Sequence, residues 1–328
     1  MTTSVADQTH STGELDVDAT QPRRPITRDT VETLLEGVPA RQSLIELSKP
    51  RIAVMVLVSV AVGYVVASGV HEVSFSLWRL LVAFVGVAMA TMSAAVFNQA
   101  IEHRTDAMMD RTAKRPIPSG RVSVAESLVL AMTLGPWGCA ILAVAVHPLC
   151  AVMTGLTLVL YAFVYTPLKP RTAWCTLIGA VPGAMPPVIG AAATGTLGWD
   201  AVALFAVLFF WQVPHFLAIA WKYREQYSRA GLRMLPPGDL TGDATGVRTG
   251  IIAAAAGVLL IPTSIWLVPA AGVSVVAAAL VSLVSGWYAW RSVAFAIDRC
   301  PRTAVRLLIA SFLHLPLVLA IVAVDTLV

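Results

Sequence analysis

LLVAFVGVAMATMSAAVF, residues 80–97, is an uninterrupted apolar run that contains no Asp, Glu, Lys or Arg. A run of this length is long enough to cross the hydrocarbon core of a bilayer. Because lipid offers the backbone no hydrogen-bond partners, such a run must form an α-helix. This stretch therefore favours a membrane-embedded fold over a soluble one.

The composition of the whole chain agrees with that reading. Of the 328 residues, 57% are hydrophobic and only 13% are charged, and the mean hydropathy is +0.75. Soluble proteins carry about 25% charged residues, so too few remain here to cover a water-soluble surface. The composition excludes a soluble enzyme, a coiled coil and a disordered chain. We expect an all-α polytopic membrane protein.

Eight further runs resemble residues 80–97 in length and in their lack of charged residues. They lie near residues 52–68, 128–146, 149–165, 174–193, 201–221, 251–268, 273–290 and 307–324. An outer-membrane barrel would show alternating strands of about ten residues, and no such alternation occurs. We predict nine transmembrane helices in one domain over residues 43–328. The placement of polar residues also suggests two related four-helix halves followed by a final helix.

The basic residues are distributed unequally between the two sides of the predicted helix bundle. The amino-terminal segment and the loops after helices two, four, six and eight hold 22 of the 23 Lys and Arg residues, and Arg79 is alone on the other side. Loops rich in Lys and Arg stay in the cytoplasm. We therefore expect a multi-pass protein of a bacterial plasma membrane, with its amino terminus in the cytoplasm.

Residues 1–42 are polar and lack the apolar segment of a signal peptide. Acidic residues in this segment, among them Asp7, Glu14, Asp16, Asp18 and Asp29, argue against a mitochondrial transit peptide, which is poor in acids. We predict a disordered cytoplasmic tail, with a short interfacial helix around residues 31–47 that leads into the first transmembrane helix.

An acidic cluster follows the run at 80–97. Asn98, Glu102, Asp106 and Asp110 are spaced by four, which on a helix places them along one stripe. Neighbouring carboxylates repel each other unless a cation lies between them. Oxygen ligands at this spacing suit Mg²⁺ shared with phosphate oxygens, and we take Asn98, Glu102 and Asp106 as the candidate metal ligands.

Basic residues come directly after the acids, at Arg111, Lys114 and Arg115. Guanidinium groups match the geometry of phosphate oxygens, so acids followed by bases at a membrane surface predict a site for magnesium and diphosphate. The alternative is a solvated helix end, in which Glu102 and Asp106 form salt bridges with Arg111 or Lys114.

The loop after the fourth helix contains Lys169 and Arg171. These two cations could contribute to the same anion site. Equally, they could serve only to keep this loop in the cytoplasm.

A second polar cluster lies at the end of the sixth helix. Gln212 and His215 are one turn apart, Lys222 follows seven residues later, and Trp211 and Phe216 lie beside them. An ionisable residue within a membrane helix is a functional candidate by default, although a packed, neutral His is an equal alternative. His314 has no polar neighbours at helical spacing, and we assign it to packing.

The fifth helix carries several glycines and prolines within residues 179–190, which read GAVPGAMPPVIG. Small residues allow close helix packing. The prolines make a regular helix unfavourable, and broken helices are tolerated where they line a cavity.

These motifs together resemble one family of membrane enzymes. Residues 98–106 match the pattern Asn-Asp-x-x-Asp-x-x-x-Asp with Gln99 and Glu102 in place of two aspartates, residues 109–116 read MDRTAKRP, and residues 211–216 read WQVPHF. The chain resembles the UbiA superfamily of intramembrane prenyltransferases, and within it the heme branch, the protoheme IX farnesyltransferase (heme O synthase) family. The similarity extends over residues 45–325.

The chain departs from the family pattern at three places. Pro170 stands where Arg is usual, and Cys175 stands where Asn is usual. The second aspartate pair of the superfamily is replaced by the segment around Gln212 and His215, as in the heme branch. The loss of that pair leaves the number of metal ions open.

The resemblance implies a fold, a reaction and its ligands. The fold is nine helices around a central cavity that opens to the cytoplasm and the lipid. The reaction transfers the farnesyl group of farnesyl diphosphate to a vinyl group of heme B, which gives heme O, with Mg²⁺ as cofactor. Downstream partners would be heme A synthase or terminal oxidase assembly, and no nucleic acid is involved.

The resemblance also assigns roles to the residues named above. Asn98, Glu102, Asp106 and Asp110 would be catalytic. The diphosphate would be bound by Arg111, Lys114, Arg115, Lys169 and Arg171. The heme would be bound by His215, Trp211, Gln212, Phe216 and Lys222. Two other functions stay open: a prenyltransferase for an aromatic or quinone precursor, and a transporter with an anion site.

Overall fold

Nine helical segments in the described residues, 38–235 and 245–328 of a computed structural model, are long and apolar enough to cross a membrane. The prediction of nine spans in an all-α fold is therefore confirmed. Residues 42–328 form one compact unit. The predicted disordered tail lies almost entirely outside the described residues, as does the first part of the predicted interfacial helix.

The helices are numbered in chain order. They are α1 (Val38–Ser48), α2 (Pro50–Val70), α3 (Leu77–Ala107), α4 (Val124–Ala145), α5 (Pro148–Leu168), α6 (Cys175–Ala184), α7 (Pro186–Ala192), α8 (Trp199–Lys222), α9 (Arg224–Arg229), α10 (Val247–Ala271), α11 (Val275–Ile297) and α12 (Pro301–Leu327). The fifth span consists of α6 and α7 together, and α1 and α9 are short helices outside the spans.

Helix α3 continues ten residues beyond its apolar run. Its start is capped by the Ser76 hydroxyl, which accepts a hydrogen bond from the backbone of Arg79. Its last turns carry Asn98, Glu102 and Asp106, so the predicted stripe is helical up to Ala107. The hydroxyl of Thr112 donates to the carbonyl of Asp106, which also accepts from the backbone of Met109, so this carbonyl at the helix end has two donors.

The fifth span is broken, as its prolines predict. Helices α6 and α7 meet at Met185, directly before Pro186. Its small residues allow close contact with α2. A Cβ atom on Gly63 would lie 2.1 Å from the carbonyl oxygen of Pro187, and one on Gly190 would lie 2.0 Å from that of Val60. Only glycine lets these two backbones approach so closely.

The fourth span ends in an irregular turn. Residues Leu160–Tyr165 of α5 are π-helical, and Pro167 follows within the last helical residues, Thr166–Leu168. The Thr166 hydroxyl donates to the carbonyl of Tyr161 at 2.8 Å. Such π-helical turns occur frequently at functional sites. Here the turn shifts the direction of the side chains that follow, including Lys169.

Helix α1 is held against α3 by polar contacts. The amide of Gln99 donates to the carbonyl of Leu47. Arg121, in the loop after α3, forms a salt bridge with Glu46. This salt bridge lowers the pKa of Glu46 from its usual value. The end of α1 is thereby fixed beside the charged end of α3, and the chain turns there into α2.

Candidate active site

A cavity of about 170 Å³ lies where several spans end at the same side of the bundle. Its walls come from the start of α2, the end of α3, the end of α5, the end of α8 and the loops that follow. Six ionisable residues other than tyrosine line it. They are Lys49, Glu102, Asp106, Arg111, Arg115 and Lys169.

The two carboxylates of the cavity are each paired with a cation. Asp106 is almost fully buried, and one of its oxygens lies 2.6 Å from a guanidinium nitrogen of Arg115. Glu102 pairs with Lys169, whose ammonium lies 2.7 Å from Oε1 and donates a hydrogen bond to Oε2 at 3.0 Å. The expected repulsion between the carboxylates is therefore offset within the protein itself.

These pairings differ from the local salt bridges that the sequence suggested. Glu102 pairs with a residue 67 positions away rather than with Arg111 or Lys114. Burial alone would lower the pKa of Lys169, but the adjacent Glu102 carboxylate more than compensates, and the pKa is raised above its usual value. Lys169 is therefore a permanent cation at this site.

Asn98 is oriented by its neighbours. Since the single hydroxyl proton of Thr166 is donated to Tyr161, the Thr166 oxygen accepts from the Asn98 amide nitrogen, at 3.1 Å. This contact turns the Asn98 carbonyl oxygen towards Lys49, whose ammonium lies 3.4 Å away. An oxygen acceptor of fixed orientation therefore faces the cavity one turn before Glu102.

Of the six ionisable cavity residues other than tyrosine, only Lys49 was not predicted from the sequence. It joins α1 to α2 with a left-handed backbone, φ 48° and ψ 60°. This conformation is unfavourable for a residue with a side chain, and more so before proline. Burial lowers the pKa of Lys49 to about 7, and repulsion by Arg115 and Lys169 contributes to the shift. Strain together with an unfavourable charge points to a functional role.

Basic groups exceed acidic groups in this cavity. Four basic side chains, Lys49, Arg111, Arg115 and Lys169, face only Glu102 and Asp106. Arg111 also donates to the Tyr227 hydroxyl and lies over the ring of Tyr223. The excess positive charge suits a ligand with several negative charges, such as a diphosphate.

The cavity is also suited to a divalent cation that is shared with such a ligand. In the described part of the chain, no group of three or more His, Cys, Asp or Glu side chains could hold a metal ion. Asn98, Glu102 and Asp106 offer oxygen donors only, and Mg²⁺ typically binds one or two carboxylates together with substrate phosphates. These residues therefore fit Mg²⁺ when a phosphate completes its ligand set.

Three residues predicted for this site lie outside the cavity wall. Asp110 follows the end of α3, is exposed, and lies 3.6 Å from Arg229. Lys114 and Arg171 are exposed and do not line the cavity. Asp110 leaves the stripe because the helix ends at Ala107, so the spacing of four no longer keeps it on the same face.

Of the five residues predicted to contact heme, only Phe216 lines the cavity. Gln212 is buried and donates to the carbonyl of Ala180 at 2.7 Å. His215 and Trp211 face α12, where both contact Ser311. Lys222 is exposed at the end of α8, near the ring of Tyr223.

The cavity is lined by charged residues and by apolar residues such as Phe216 and Ile219. Comparison with known proteins identifies the family of the chain. The model of the UbiA prenyltransferase family matches residues 56–319. This chain belongs to the UbiA prenyltransferase family. Membership of this family favours prenyl transfer over the transporter alternative.

Individual proteins are also similar to this chain in sequence or in structure. The protoheme IX farnesyltransferase of Solibacter usitatus is 41% identical over 295 residues, which cover 86% of this chain and 97% of that protein. A digeranylgeranylglyceryl phosphate synthase structure superposes with a TM-score of 0.65 at 17% identity, over 87% of this chain and 98% of that one.

A third comparison adds a ligand-bound structure. The structure of a UbiA homolog from Archaeoglobus fulgidus, bound to GPP and Mg²⁺, has a TM-score of 0.58 at 15% identity, over 85% of this chain and 99% of that one. At this identity the likeness shows a common fold. The chain therefore shares the UbiA-type prenyltransferase architecture.

Proposed function

We propose that this chain transfers the farnesyl group of farnesyl diphosphate to a vinyl group of heme B, which produces heme O and diphosphate. The observation that carries the proposal is the 41% identity to a protoheme IX farnesyltransferase along nearly the whole of that protein. The cavity supports it, because its four cations and two carboxylates suit the diphosphate of a prenyl donor.

The reaction begins with cleavage of the allylic C–O bond of the donor. The electron pair of that bond passes to the diphosphate oxygen, where negative charge develops. Lys49, Arg111, Arg115 and Lys169 stabilise that charge because they are already fixed around it. Before the donor and the metal bind, Glu102 and Asp106 hold Lys169 and Arg115 beside the position of the diphosphate.

Magnesium is the cofactor in this proposal. Bound by Asn98, Glu102 and Asp106, it would supply additional positive charge to the leaving group. The contacts of Lys169 and Arg115 with the two carboxylates would then loosen, which frees both cations to bind phosphate oxygens. Asp110 remains a proposed catalytic residue, and Lys114 and Arg171 remain proposed diphosphate-binding residues, all three at exposed positions.

The acceptor reacts on the apolar side. The π electrons of the heme vinyl group form the new C–C bond with the allylic carbon, and the resulting cation takes a hydroxyl from water with release of a proton. Phe216 and Ile219 form an apolar wall here that keeps other water from the allylic cation. We assign His215, Trp211, Gln212 and Lys222 to the heme side with Phe216.

The size of the cavity indicates which part of the substrates it encloses. Its volume of about 170 Å³ is below the roughly 300–1,000 Å³ of a typical pocket for a drug-sized ligand. It can enclose the diphosphate and the reacting carbons. The farnesyl chain and the porphyrin ring then extend towards the helices and the lipid.

The location follows from the charge distribution. We propose a multi-pass protein of the bacterial plasma membrane with its amino terminus and active site facing the cytoplasm, because 22 of the 23 Lys and Arg residues are on that side. Heme O would pass to heme A synthase or terminal oxidase assembly. A reporter that is active only outside the cytoplasm, fused after Val328, tests the orientation; activity of a strictly cytoplasmic reporter there would contradict it.

The test of the proposed function is a direct conversion assay. Membranes containing the full chain are incubated with heme B and labelled farnesyl diphosphate, and the porphyrin products are separated by mass. We expect heme to gain one farnesyl group and one hydroxyl group. Membranes carrying the double variant Glu102→Gln, Asp106→Asn should form none of this product. Prenylation of a hydroxybenzoate instead of heme would overturn the proposal.

A further inference from the structure

Thr166 is a buried residue of α5 that contacts the candidate metal ligand Asn98. It follows directly after the π-helical turn and is not itself part of the cavity wall. Thr166 is 1% exposed and Asn98 is 2% exposed. A polar group without a partner is unfavourable at such depth, so the hydrogen bonds of these two side chains constrain how each of them can be oriented.

The π-helical turn determines what the Thr166 hydroxyl can do. In a regular α-helix, a threonine hydroxyl that bonds to the backbone typically donates to the carbonyl four residues earlier. Here the backbone N–H and the hydroxyl of Thr166 both donate to the carbonyl of Tyr161, five residues earlier. The single hydroxyl proton is thereby used within α5. Towards α3, the Thr166 oxygen is therefore only an acceptor.

The side-chain amide of Asn98 has two ends of opposite character. Its nitrogen only donates hydrogen bonds, and its oxygen only accepts them. Thr166 accepts from the nitrogen at 3.1 Å, whereas the Lys49 ammonium lies 3.4 Å from the oxygen. The two neighbours require the same orientation of the amide. In the proposed reaction Lys49 binds the diphosphate, so Thr166 is then the neighbour that keeps the amide oxygen directed to the cavity.

We propose that Thr166 is the positioning residue that makes Asn98 a metal ligand, because it holds the amide nitrogen away from the cavity. The proposal rests on the magnesium and diphosphate part of the proposed function, and not on the identity of the acceptor. An asparagine binds a cation through its carbonyl oxygen, and its NH₂ group has no lone pair to offer. A reversed amide would therefore remove one ligand from the site.

The experiment compares the Mg²⁺ affinity of variants of the full-length protein in lipid nanodiscs. Calorimetric titrations are made with a nonreactive farnesyl thiodiphosphate already bound, so neither heme nor turnover is required. Thr166→Val keeps the shape of the side chain but removes the acceptor oxygen. We expect it to bind Mg²⁺ about 10–100-fold more weakly than the wild type, the usual range for the loss of a residue that orients a metal ligand. Thr166→Ser keeps the hydroxyl and should bind Mg²⁺ as the wild type does.

A second background separates the orientation of residue 98 from the packing of α5. Asn98→Asp presents a carboxylate oxygen to the metal in either orientation, so its direction no longer depends on Thr166. In this background, Thr166→Val should leave the Mg²⁺ affinity nearly unchanged. The difference between the two backgrounds measures the coupling between residues 98 and 166. An equal loss in both backgrounds would overturn the proposal, because a disturbed helix weakens an amide ligand and a carboxylate ligand alike.

Control variants test whether the effect is specific. Thr154→Val removes another buried threonine hydroxyl of α5, at a position outside the cavity wall, and should bind Mg²⁺ as the wild type does. A loss as large as that of Thr166→Val would overturn the assignment, and so would an unchanged affinity in Thr166→Val itself. Melting temperatures of the metal-free proteins show which variants are folded. Thr166→Ala also lacks the acceptor oxygen and provides the same test if Thr166→Val does not fold.

The heme conversion assay distinguishes failure of this proposal from failure of the proposed function. A wild type that farnesylates heme, together with equal Mg²⁺ affinities in the wild type and Thr166→Val, would overturn only the role of Thr166. A wild type whose Mg²⁺ binding depends on Thr166 as expected, but which prenylates a different acceptor, would overturn only the proposed function.

Discussion

The ends of α3 and α8 contribute opposite surfaces to the same cavity. Helix α3 supplies Asn98, Glu102 and Asp106, whereas α8 supplies Phe216 and Ile219 and no charged side chain. Both helices carry polar residues near this end in the sequence. In α8, however, Gln212 and His215 are directed to neighbouring helices.

In the proposed reaction, this difference would assign the two chemical tasks to different parts of the molecule. Binding of the charged leaving group would depend on α3, the end of α5 and the start of α2. The apolar acceptor and the carbocation would depend on α8. Variants in the first group should therefore act on the diphosphate, and variants in the second group on the acceptor.

The largest effect is expected when the charge on α3 is removed. Asp106→Asn should lower turnover by about 10²–10³-fold, because both the metal site and the orientation of Arg115 are lost. Turnover measured at saturating substrates would show it. Near-wild-type turnover of a folded variant would contradict the metal site.

The stability of the same variant sharpens the interpretation. Repulsion from Glu102 alone would predict a stable or even stabilised variant. In the structure, however, Asp106 is already paired with Arg115. The substitution Asp106→Asn would leave the Arg115 guanidinium without this anionic partner. We therefore expect the melting temperature of the metal-free Asp106→Asn protein to fall. An increase would mean that repulsion dominates.

A smaller effect is expected at the start of α2. Lys49→Met should weaken binding of farnesyl diphosphate by about 10–100-fold, the usual range for a hydrogen bond to a charged group. Heme binding should be unchanged. Arg51→Met, an exposed neighbour, is the matched control. Equal effects of the two variants would show that only the general charge of this surface matters.

Magnesium binding should depend on the diphosphate. Lys169 and Arg115 occupy the carboxylates in the free protein, so we expect Mg²⁺ to bind at least roughly tenfold more tightly when a nonreactive farnesyl thiodiphosphate is present. Calorimetric titrations with and without the analogue measure this difference. Tight binding of Mg²⁺ to the free protein would show that the two salt bridges do not compete with the metal.

The apolar side is tested by Phe216→Ala. We expect a few-fold loss of heme conversion, with unchanged affinity for farnesyl diphosphate, since in the proposed reaction Phe216 would contact the acceptor and exclude water. Competing hydrolysis of the donor to farnesol should increase. A loss of diphosphate affinity comparable to that of Lys49→Met would remove the distinction between the two sides.

The smallest effect is expected at the salt bridge between Glu46 of α1 and Arg121 in the loop after α3. Glu46 is bound by Arg121, which lowers its pKa, so this pair stabilises the fold at neutral pH. The usual Glu pKa of 4.5 applies to the unfolded chain, and the lowered pKa applies to the folded protein. The contribution is therefore lost as the pH falls from 4.5 through the lowered pKa of Glu46. Glu46→Gln should cost less than about 1 kcal/mol at pH 7, as for other exposed pairs, and unfolding of both proteins should coincide at low pH.

The sequence predicts the spans and much of the charged side. Length and hydropathy locate all nine spans, and the spacing of four correctly places Asn98, Glu102 and Asp106 on one helical stripe. The prolines of the fifth span predict its break. These features depend on local sequence, so they can be found without knowledge of the tertiary structure.

Other features of the site depend on contacts between distant segments. The pairing of Glu102 with Lys169 joins two spans. Lys49 could not be distinguished from Arg51, because its place in the cavity results from a left-handed turn that a Lys-Pro sequence disfavours. The contact between His215 and Ser311 likewise depends on how α12 packs against α8.

The four cations around the cavity also bear on the end of the catalytic cycle. Cleavage of the donor converts a diphosphate ester into free pyrophosphate, which has one more ionisable oxygen. The same cations must then hold the product more strongly than the substrate. We expect pyrophosphate to leave slowly and to compete with fresh donor, and moderate salt to speed its departure by screening these charges.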